Sequence, residues 1–147
     1  MRIASIETRR YHVAFDPPFR AAWDPVPRTG QDATLVIVTA DDGTQGFASG
    51  DHLPDADVLA PLVVGLDPRR TEVVRELVET VDFHGGRGWI LEVAVWDLVG
   101  RALDTPLWQL LGGRSDSLLA YASSGELVAP EERAARAVAQ RHRACGR

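Results

Sequence analysis

The apolar pattern is densest in the stretch Trp89–Val99, where apolar side chains fall on nearly every face of a helix and only Glu92 and Asp97 interrupt them. A helix that is apolar on all sides is buried inside a domain rather than lying on its surface. We therefore predict a central core helix over Trp89–Leu103. Its buried side chains are expected to include Val93 and Leu98, together with the tryptophans Trp89 and Trp96.

A second, short helix is predicted directly after the core helix. Thr105-Pro106 places a capping residue before a proline at the first helical position, and Gly112-Gly113 supplies the residues that end a helix. This helix is expected to bury its large apolar residues, which are Leu107, Trp108, Leu110 and Leu111.

Three strands are predicted at the start of the chain. Ile3–Phe15 is rich in strand formers, but its alternation changes phase, which indicates a bulge near Arg9-Arg10. Ala33–Thr39 and Thr44–Ser49 flank the turn dipeptide Asp42-Gly43, which is the pattern of an antiparallel hairpin. The three strands therefore predict an antiparallel meander.

Two amphipathic helices are predicted between the hairpin and the core helix. The first opens at Asp55 and Asp57 and ends at Gly65, and the second starts at Asp67-Pro68. Their apolar positions recur at helical spacing. These positions are Val58, Leu59, Leu62 and Val63 in the first helix, and Val73, Val74, Leu77, Val78 and Val81 in the second.

The segments outside these elements have weaker patterns. Residues 84–88 are interpreted as a flexible link, because this Gly-rich run follows no strand and lacks the spacing of a phosphate-binding loop. Leu118–Ser123 is typical of a buried strand, and Pro130-Glu131-Glu132 begins a helix with the residues that favour a first turn.

The composition excludes several classes of protein. With 45% hydrophobic and 25% charged residues, the chain is globular, and its short apolar runs favour no membrane span. No secretory segment is visible at the start, so we expect a cytoplasmic protein. Cys145 is the only cysteine, which leaves no internal disulfide and no cysteine metal cluster, and the net charge of -5 argues against a nucleic-acid surface.

Candidate chemistry is sparse along the chain. The Pro-rich segment Asp16–Asp32 is predicted to be a loop, and its aromatic residues Phe19 and Trp23 either contact a ligand or pack beneath the loop. After the hairpin, Ser49-Gly50-Asp51-His52 leaves the sheet. Asp51 and His52 form a possible acid-base pair. The alternative, that Asp51 and Asp55 cap the next helix, is favoured because no nucleophile or orienting group follows.

No catalytic or metal-ligating set can be assembled from these residues. His12, His84 and His142 have no partners at ligand spacing. The aspartates at 51, 55 and 57 lack the glycine and the distal glutamate of a calcium loop.

The run E-V-A-V-W-D-L-V-G-R-A-L-D-T-P-L-W-Q-L-L-G-G, residues 92–113, resembles the end of the N-terminal capping domain in the mandelate racemase and muconate lactonizing enzyme branch of the enolase superfamily. The opening strand, the loop around Phe19–Trp23, the D-G hairpin leading to A-S-G-D and the L-D-P-R helix start occur in the order of that family. The resemblance covers Met1 to about Ser124.

The resemblance implies an α+β fold in which a three-stranded antiparallel meander packs on a helical bundle, followed by the first β/α unit of an incomplete TIM barrel. The capping domain would span residues 1–113 and the barrel start residues 114–147. About 250 residues make such a barrel, so we expect a fragment or truncated product. In the family, the two loops after the first strand and after the hairpin shape the substrate pocket.

The substrate-contacting residues implied by the resemblance are therefore Phe19, Trp23, Ser49, Gly50, Asp51 and His52, with Ser123 at the end of the barrel strand. The family removes a proton alpha to a carboxylate, with Mg²⁺ stabilising the product, through bases and acidic metal ligands on later strands. This chain contains no lysine. We expect no catalytic residue, no cofactor and no bound Mg²⁺ in the chain itself, although a full-length parent would need Mg²⁺.

Two hypotheses follow from the sequence. In the first, the chain is the substrate-capping portion of an acid-sugar dehydratase, racemase or cycloisomerase that acts on a carboxylate-containing small molecule, and it is inactive alone. In the second, it is a stand-alone binding module that reuses the capping fold. Such a module would cover its apolar surface with another chain, most simply by forming a homo-oligomer.

Overall fold

The computed structural model describes residues 1–53, 56–85, 88–121 and 123–144. Its chain forms two compact units, one made of Met1–Val13 with Asp32–Asp116 and the other of Ala14–Gln31 with Ser117–Arg147. The elements in chain order are β1 (Ile3–Phe19), β2 (Arg28–Ala40), β3 (Gln45–Gly50), α1 (Ala56–Val63), α2 (Thr71–Gly85), α3 (Trp89–Ala102), α4 (Leu107–Leu110) and α5 (Pro130–Ala144). The division predicted at residue 113 stays a prediction.

The sheet has the order β1-β2-β3, as the predicted meander requires. Strands β2 and β3 are antiparallel in a register that pairs Val38 with Gly46 and Thr34 with Gly50. Their turn uses Gly43 at a φ of +87°, a conformation that glycine adopts without steric cost. The Asp42 carboxylate accepts a bond of 2.9 Å from the Thr44 N–H, so the predicted hairpin is confirmed.

The loop predicted over residues 16–32 is wrong for most of its length. Strand β1 continues to Phe19 and β2 already starts at Arg28, so eight residues, 20–27, separate the two strands. Prolines at 17 and 18 are accommodated because β1 is an edge strand, where a missing N–H removes no bond of the sheet interior.

Helix α3 is the centre of the first unit, as predicted. It contacts β3 of the sheet and helix α2, which in turn contacts α1, and one core contains buried side chains from all of these elements. The buried α3 residues are Ile90, Leu91, Ala94, Val95, Leu98 and Val99.

Strand β3 lies against α3 at unusually short range. A Cβ atom added at Gly46 would lie 2.2 Å from the Ala94 carbonyl oxygen and 2.3 Å from the Leu98 nitrogen. Only a glycine lets two backbones approach so closely. The close contact fixes which face of α3 meets the sheet.

A side chain of α3 also satisfies the free edge of β3. The Asp97 carboxylate accepts a bond of 2.8 Å from the Phe47 N–H and another of 2.8 Å from Nε of Arg101. The Arg101 guanidinium carbon lies 5.1 Å from the Phe47 ring centroid, a cation-π distance. The pair Asp97–Arg101, four residues apart, therefore joins the edge strand to the central helix.

Replacing Asp97 with alanine should lower the free energy of unfolding by about 1–3 kcal/mol, because the part-buried Phe47 N–H loses its acceptor. Asp97→Asn keeps an acceptor oxygen and should cost clearly less. Urea unfolding followed by circular dichroism would measure both changes. Equal losses for the two variants would assign the effect to charge rather than to the bond with Phe47.

The prediction that α3 is buried on all faces is wrong. Val93 is 43% exposed and Trp89 is half exposed, because the elements packed against α3 cover only part of its surface.

The prediction that α4 buries its large apolar residues is also wrong. No residue of α4 is buried, and Trp108 is 38% and Leu111 62% exposed. Leu107 does contact the helix before it, since a Cβ added at Gly100 would meet its side chain at 3.3 Å.

Helices α1 and α2 confirm the amphipathic patterns in part. Leu59 and Val63 of α1, and Val74 and Val78 of α2, enter the core. In α1, only part of the predicted apolar face is buried, because Val58 and Leu62 are exposed. Asp67-Pro68 forms a turn before α2, in which the Asp67 carboxylate accepts the Arg69 N–H at 3.0 Å, and the helix itself begins at Thr71.

The second unit contains one regular helix among the residues that the structure describes. The predicted helix at Pro130 is confirmed as α5. The buried strand predicted over Leu118–Ser123 is wrong: Leu118, Leu119 and Tyr121 are almost fully exposed and lie outside any strand, and Ala122 is outside the described residues. An apolar segment forms a strand only where a partner strand supplies hydrogen bonds.

Candidate functional site

A cavity of about 580 Å³ lies in the second unit, where β1 ends and β2 begins. Its lining combines aromatic and charged side chains. The aromatic side chains are Phe15, Phe19 and Trp23, and the charged ones are Asp16, Asp24 and Arg28. This mixture of apolar surface and a few polar groups is typical of sites that bind small molecules.

An ion pair lies in the lining of the cavity, between the loop that follows β1 and the start of β2. Arg28 donates from Nε to the Asp24 carboxylate at 2.5 Å and from its terminal nitrogen at 3.1 Å. The Asp24 side chain is mostly buried, whereas that of Arg28 is half exposed. This hydrogen-bonded carboxylate raises the pKa of the Arg28 guanidinium above its usual value.

The charges that line the cavity do not cancel. Arg28 is neutralised by Asp24, and Asp16 forms no ion pair with any of the residues that the structure describes. The lining therefore carries one excess negative charge, and its one cation already binds a carboxylate.

Two of the predicted contact residues, Phe19 and Trp23, share this cavity. Trp23 is 68% exposed, so its indole offers a large accessible face, and Phe19 is half-buried. The third residue predicted in this unit, Ser123, is exposed and is not part of the lining. Their roles as substrate contacts stay predictions.

The other predicted contact residues lie in the first unit, at the end of β3. Ser49, Asp51 and His52 are exposed, and the Asp51 carbonyl accepts the Thr34 hydroxyl at 3.3 Å. Gly50 lies close to α3, because an added Cβ would be 2.6 Å from Cδ1 of Ile90. The competing interpretation of Asp51 as a helix cap involves Asp55, which lies outside the described residues.

Sequence reasoning identified the segment but missed most of its polar lining. Phe15, Asp16, Asp24 and Arg28 were not singled out. The four-residue spacing of Asp24 and Arg28 predicts an ion pair only on a helix, and this segment is too rich in proline to form one, so local spacing gave no signal for the pair.

The described part of the chain does not supply a metal centre. Nowhere among those residues do three or more His, Cys, Asp or Glu side chains converge. His12 does pair with Asp32 at 2.7 Å, but both side chains are exposed and no further ligand joins them. In the same residues, none of the helices has the length and apolar character needed to cross a membrane.

Comparisons with known proteins agree on one family. Residues 5–112 match the family described as mandelate racemase / muconate lactonizing enzyme, N-terminal domain. The chain is 32% identical over 136 residues to a D-galactarolactone cycloisomerase of Agrobacterium fabrum, covering 84% of this chain and 35% of that protein. It is 30% identical over 114 residues to a cis-3-hydroxy-L-proline dehydratase of Roseibium aggregatum, covering 68% of this chain and 31% of that protein.

The fold has a solved counterpart in the dipeptide epimerase of Methylococcus capsulatus complexed with Mg and the dipeptide L-Arg-D-Lys. That structure matches with a TM-score of 0.79 and 28% identity, covering 99% of this chain and 44% of the epimerase chain. The chain thus spans well under half the length of these relatives.

Proposed function

We propose a function from the premise that this chain belongs to the mandelate racemase / muconate lactonizing enzyme family through its N-terminal domain. In this proposal, the chain is the substrate-capping and specificity portion of a Mg²⁺-dependent enzyme. The enzyme would abstract a proton alpha to a carboxylate. The single observation that supports this role is the cavity lined by Phe19, Trp23 and Arg28 at the open end of the β1–β2 pair.

The role proposed for this chain is binding rather than proton transfer. A base near the substrate needs a suitably placed lysine, histidine or carboxylate, and the chain has no lysine. The described residues also do not fit Mg²⁺, which requires several converging oxygen ligands. In the proposed enzyme, the base and the metal ligands therefore come from outside the part of the chain described here.

The charges of the cavity indicate which end of a substrate it would receive. A carboxylate would meet the unpaired Asp16, and Arg28 already donates to Asp24. Like charges at short range disfavour binding, whereas a neutral ring can stack on the indole of Trp23. We therefore propose that the cavity holds the part of the substrate that is distant from its reacting carboxylate.

The reaction within the family is proposed only by class. The relatives named above are a cycloisomerase, a dehydratase and an epimerase. An acid-sugar dehydratase, a racemase and a cycloisomerase share the same first step, so the capping role proposed here is common to all three. A cytoplasmic location and the absence of nucleic-acid partners are part of the same proposal, the latter because the net charge is -5.

One observation favours a second function, that of a stand-alone oligomeric binding module. Leu118, Leu119 and Tyr121 are almost fully exposed, and large apolar side chains in one segment usually contact another chain. Sedimentation separates the two functions. A discrete, stable homo-oligomer of the 147-residue chain favours the module, whereas aggregation favours the capping portion of a larger enzyme.

The capping proposal predicts that Trp23 controls substrate affinity. This chain would replace the matching segment of the Agrobacterium fabrum cycloisomerase, and turnover of D-galactarolactone by the chimera would be measured. Trp23→Ala should raise KM about ten-fold with a smaller change in kcat, because a binding surface is lost.

Val26→Ala is the matched control, since Val26 is an equally exposed apolar residue of the same loop and is not part of the cavity lining. It should leave KM unchanged. Equal effects of the two substitutions would contradict the capping role.

A further inference from the structure

The edge of the Trp23 indole lies against the backbone of Gly125. A Cβ atom added at Gly125 would be 2.3 Å from Cη2 of the ring and 2.5 Å from Cζ3. Both distances are far below van der Waals contact, so a side chain at this position requires the ring to move. The φ of Gly125 lies outside the left-handed region, so the need for glycine is steric rather than conformational.

The backbone just before Trp23 is fixed to the segment that contains Gly125. The Ala22 N–H donates to the Gly125 carbonyl at 2.9 Å, and the Leu127 N–H donates to the Arg20 carbonyl at 2.6 Å. Between them, Ala21 and Glu126 form an antiparallel bridge, and Ala21 is buried. The residues just before Trp23 are therefore held in register with residues 125–127.

Helix α5 in turn holds that segment in place. The Arg133 guanidinium donates to the Ser124 carbonyl at 2.9 Å and also to the Glu126 carbonyl. Arg136 pairs with the Glu126 and Glu132 carboxylates. Both carbonyls that flank Gly125 thus bind one guanidinium, and charge-assisted bonds of this kind are stronger than neutral ones.

We propose that Gly125 is a positioning residue that sets the orientation of Trp23 in the cavity wall. The missing side chain at 125 lets the edge of the indole approach the backbone, and the bonds from Arg133 keep that backbone where the indole needs it. The size of the cavity, and hence its preference among substrates, would then depend on a residue that does not line it. The consequence for substrates rests on the proposed function, whereas the placement of the ring does not.

The orientation of Trp23 can be measured directly by ¹⁹F NMR of the 147-residue chain labelled with 5-fluorotryptophan. The chain has four tryptophans, and the resonance missing from Trp23→Phe identifies Trp23. Gly125→Ala should shift the Trp23 resonance and leave those of Trp89, Trp96 and Trp108 in place. Gly125→Val should shift it further, because a larger side chain displaces the ring more.

A double substitution keeps the test valid if Gly125→Ala destabilises the chain. In a Trp23→Ala background the ring is gone, so adding the methyl group at 125 should change the melting temperature no further. An unshifted Trp23 resonance in Gly125→Ala, or a melting temperature that falls equally with and without the ring, would overturn the proposal.

The same variants separate this proposal from the capping function. In the chimera with the Agrobacterium fabrum cycloisomerase, Gly125→Ala should raise KM for D-galactarolactone several-fold when Trp23 is present and not when it is alanine. A shifted Trp23 resonance without any change in KM would uphold the positioning role and count against the capping role.

Discussion

Replacing Gly46 with alanine is expected to lower the free energy of unfolding by more than about 3 kcal/mol, above the usual cost of overpacking a core. The new methyl group would meet the Ala94 carbonyl oxygen at 2.2 Å and the Leu98 nitrogen at 2.3 Å. Both are backbone atoms of α3, so the clash cannot be relieved by rotating a side chain. Urea unfolding followed by far-UV circular dichroism would measure the loss.

Gly50→Ala provides a matched control on the same strand. Its added Cβ would approach Ile90 and Trp89 only at the ends of their side chains, the shortest distance being 2.6 Å to Cδ1 of Ile90. Side-chain ends can move, so this variant should lose much less stability than Gly46→Ala. If the free energy of unfolding of Gly46→Ala lies within about 1 kcal/mol of that of the unsubstituted chain, β3 does not lie against α3 as closely as described.

The elements that the sequence predicted correctly are those whose signal is local. Asp42-Gly43 after the β-branched run Ala33–Thr39 predicted the hairpin, and Pro130 with two glutamates predicted the start of α5. Turn chemistry and first-turn preferences depend on neighbours within a few residues, which a single sequence contains. The resemblance to a known capping domain then placed these elements in one fold.

Burial was harder to predict because it depends on what covers a helix. The continuous apolar run of α3 contains no polar face, so periodicity could not distinguish the exposed Val93 from the buried Leu98. Burial of the short helix α4 was mispredicted for the same reason. Its apolar residues predicted burial, but Trp108 stays partly exposed where α4 contacts α3.

The strand predicted over Leu118–Ser123 was wrong for a related reason. Apolar residues favour a strand, but a strand is completed by hydrogen bonds to a partner. Just after this segment, residue Glu126 forms only an isolated bridge with Ala21. The sequence shows that a segment favours a strand, but it does not show whether a partner strand lies beside it.

The candidate site was predictable only in its aromatic part. Phe19 and Trp23 stood out as aromatic residues of a Pro-rich segment, and both line the cavity. The contact between Trp23 and Gly125 spans about a hundred residues and leaves no trace in local spacing. A glycine required by a distant ring cannot be told from any other loop glycine without the three-dimensional contact.

Replacing Leu98 with alanine is expected to cost about 2–5 kcal/mol of unfolding free energy, whereas Val93→Ala should cost less than about 1 kcal/mol. Leu98 is fully buried at 0% exposure in the core between α3 and the sheet, so its truncation leaves a cavity. Val93 is 43% exposed on the same helix, and alanine also suits a helix better than valine. Paired urea titrations of the two variants would measure the difference. Similar losses at both positions would mean that the exposed face of α3 is covered in solution, for instance by a second copy of the chain, and would require a different account of this surface.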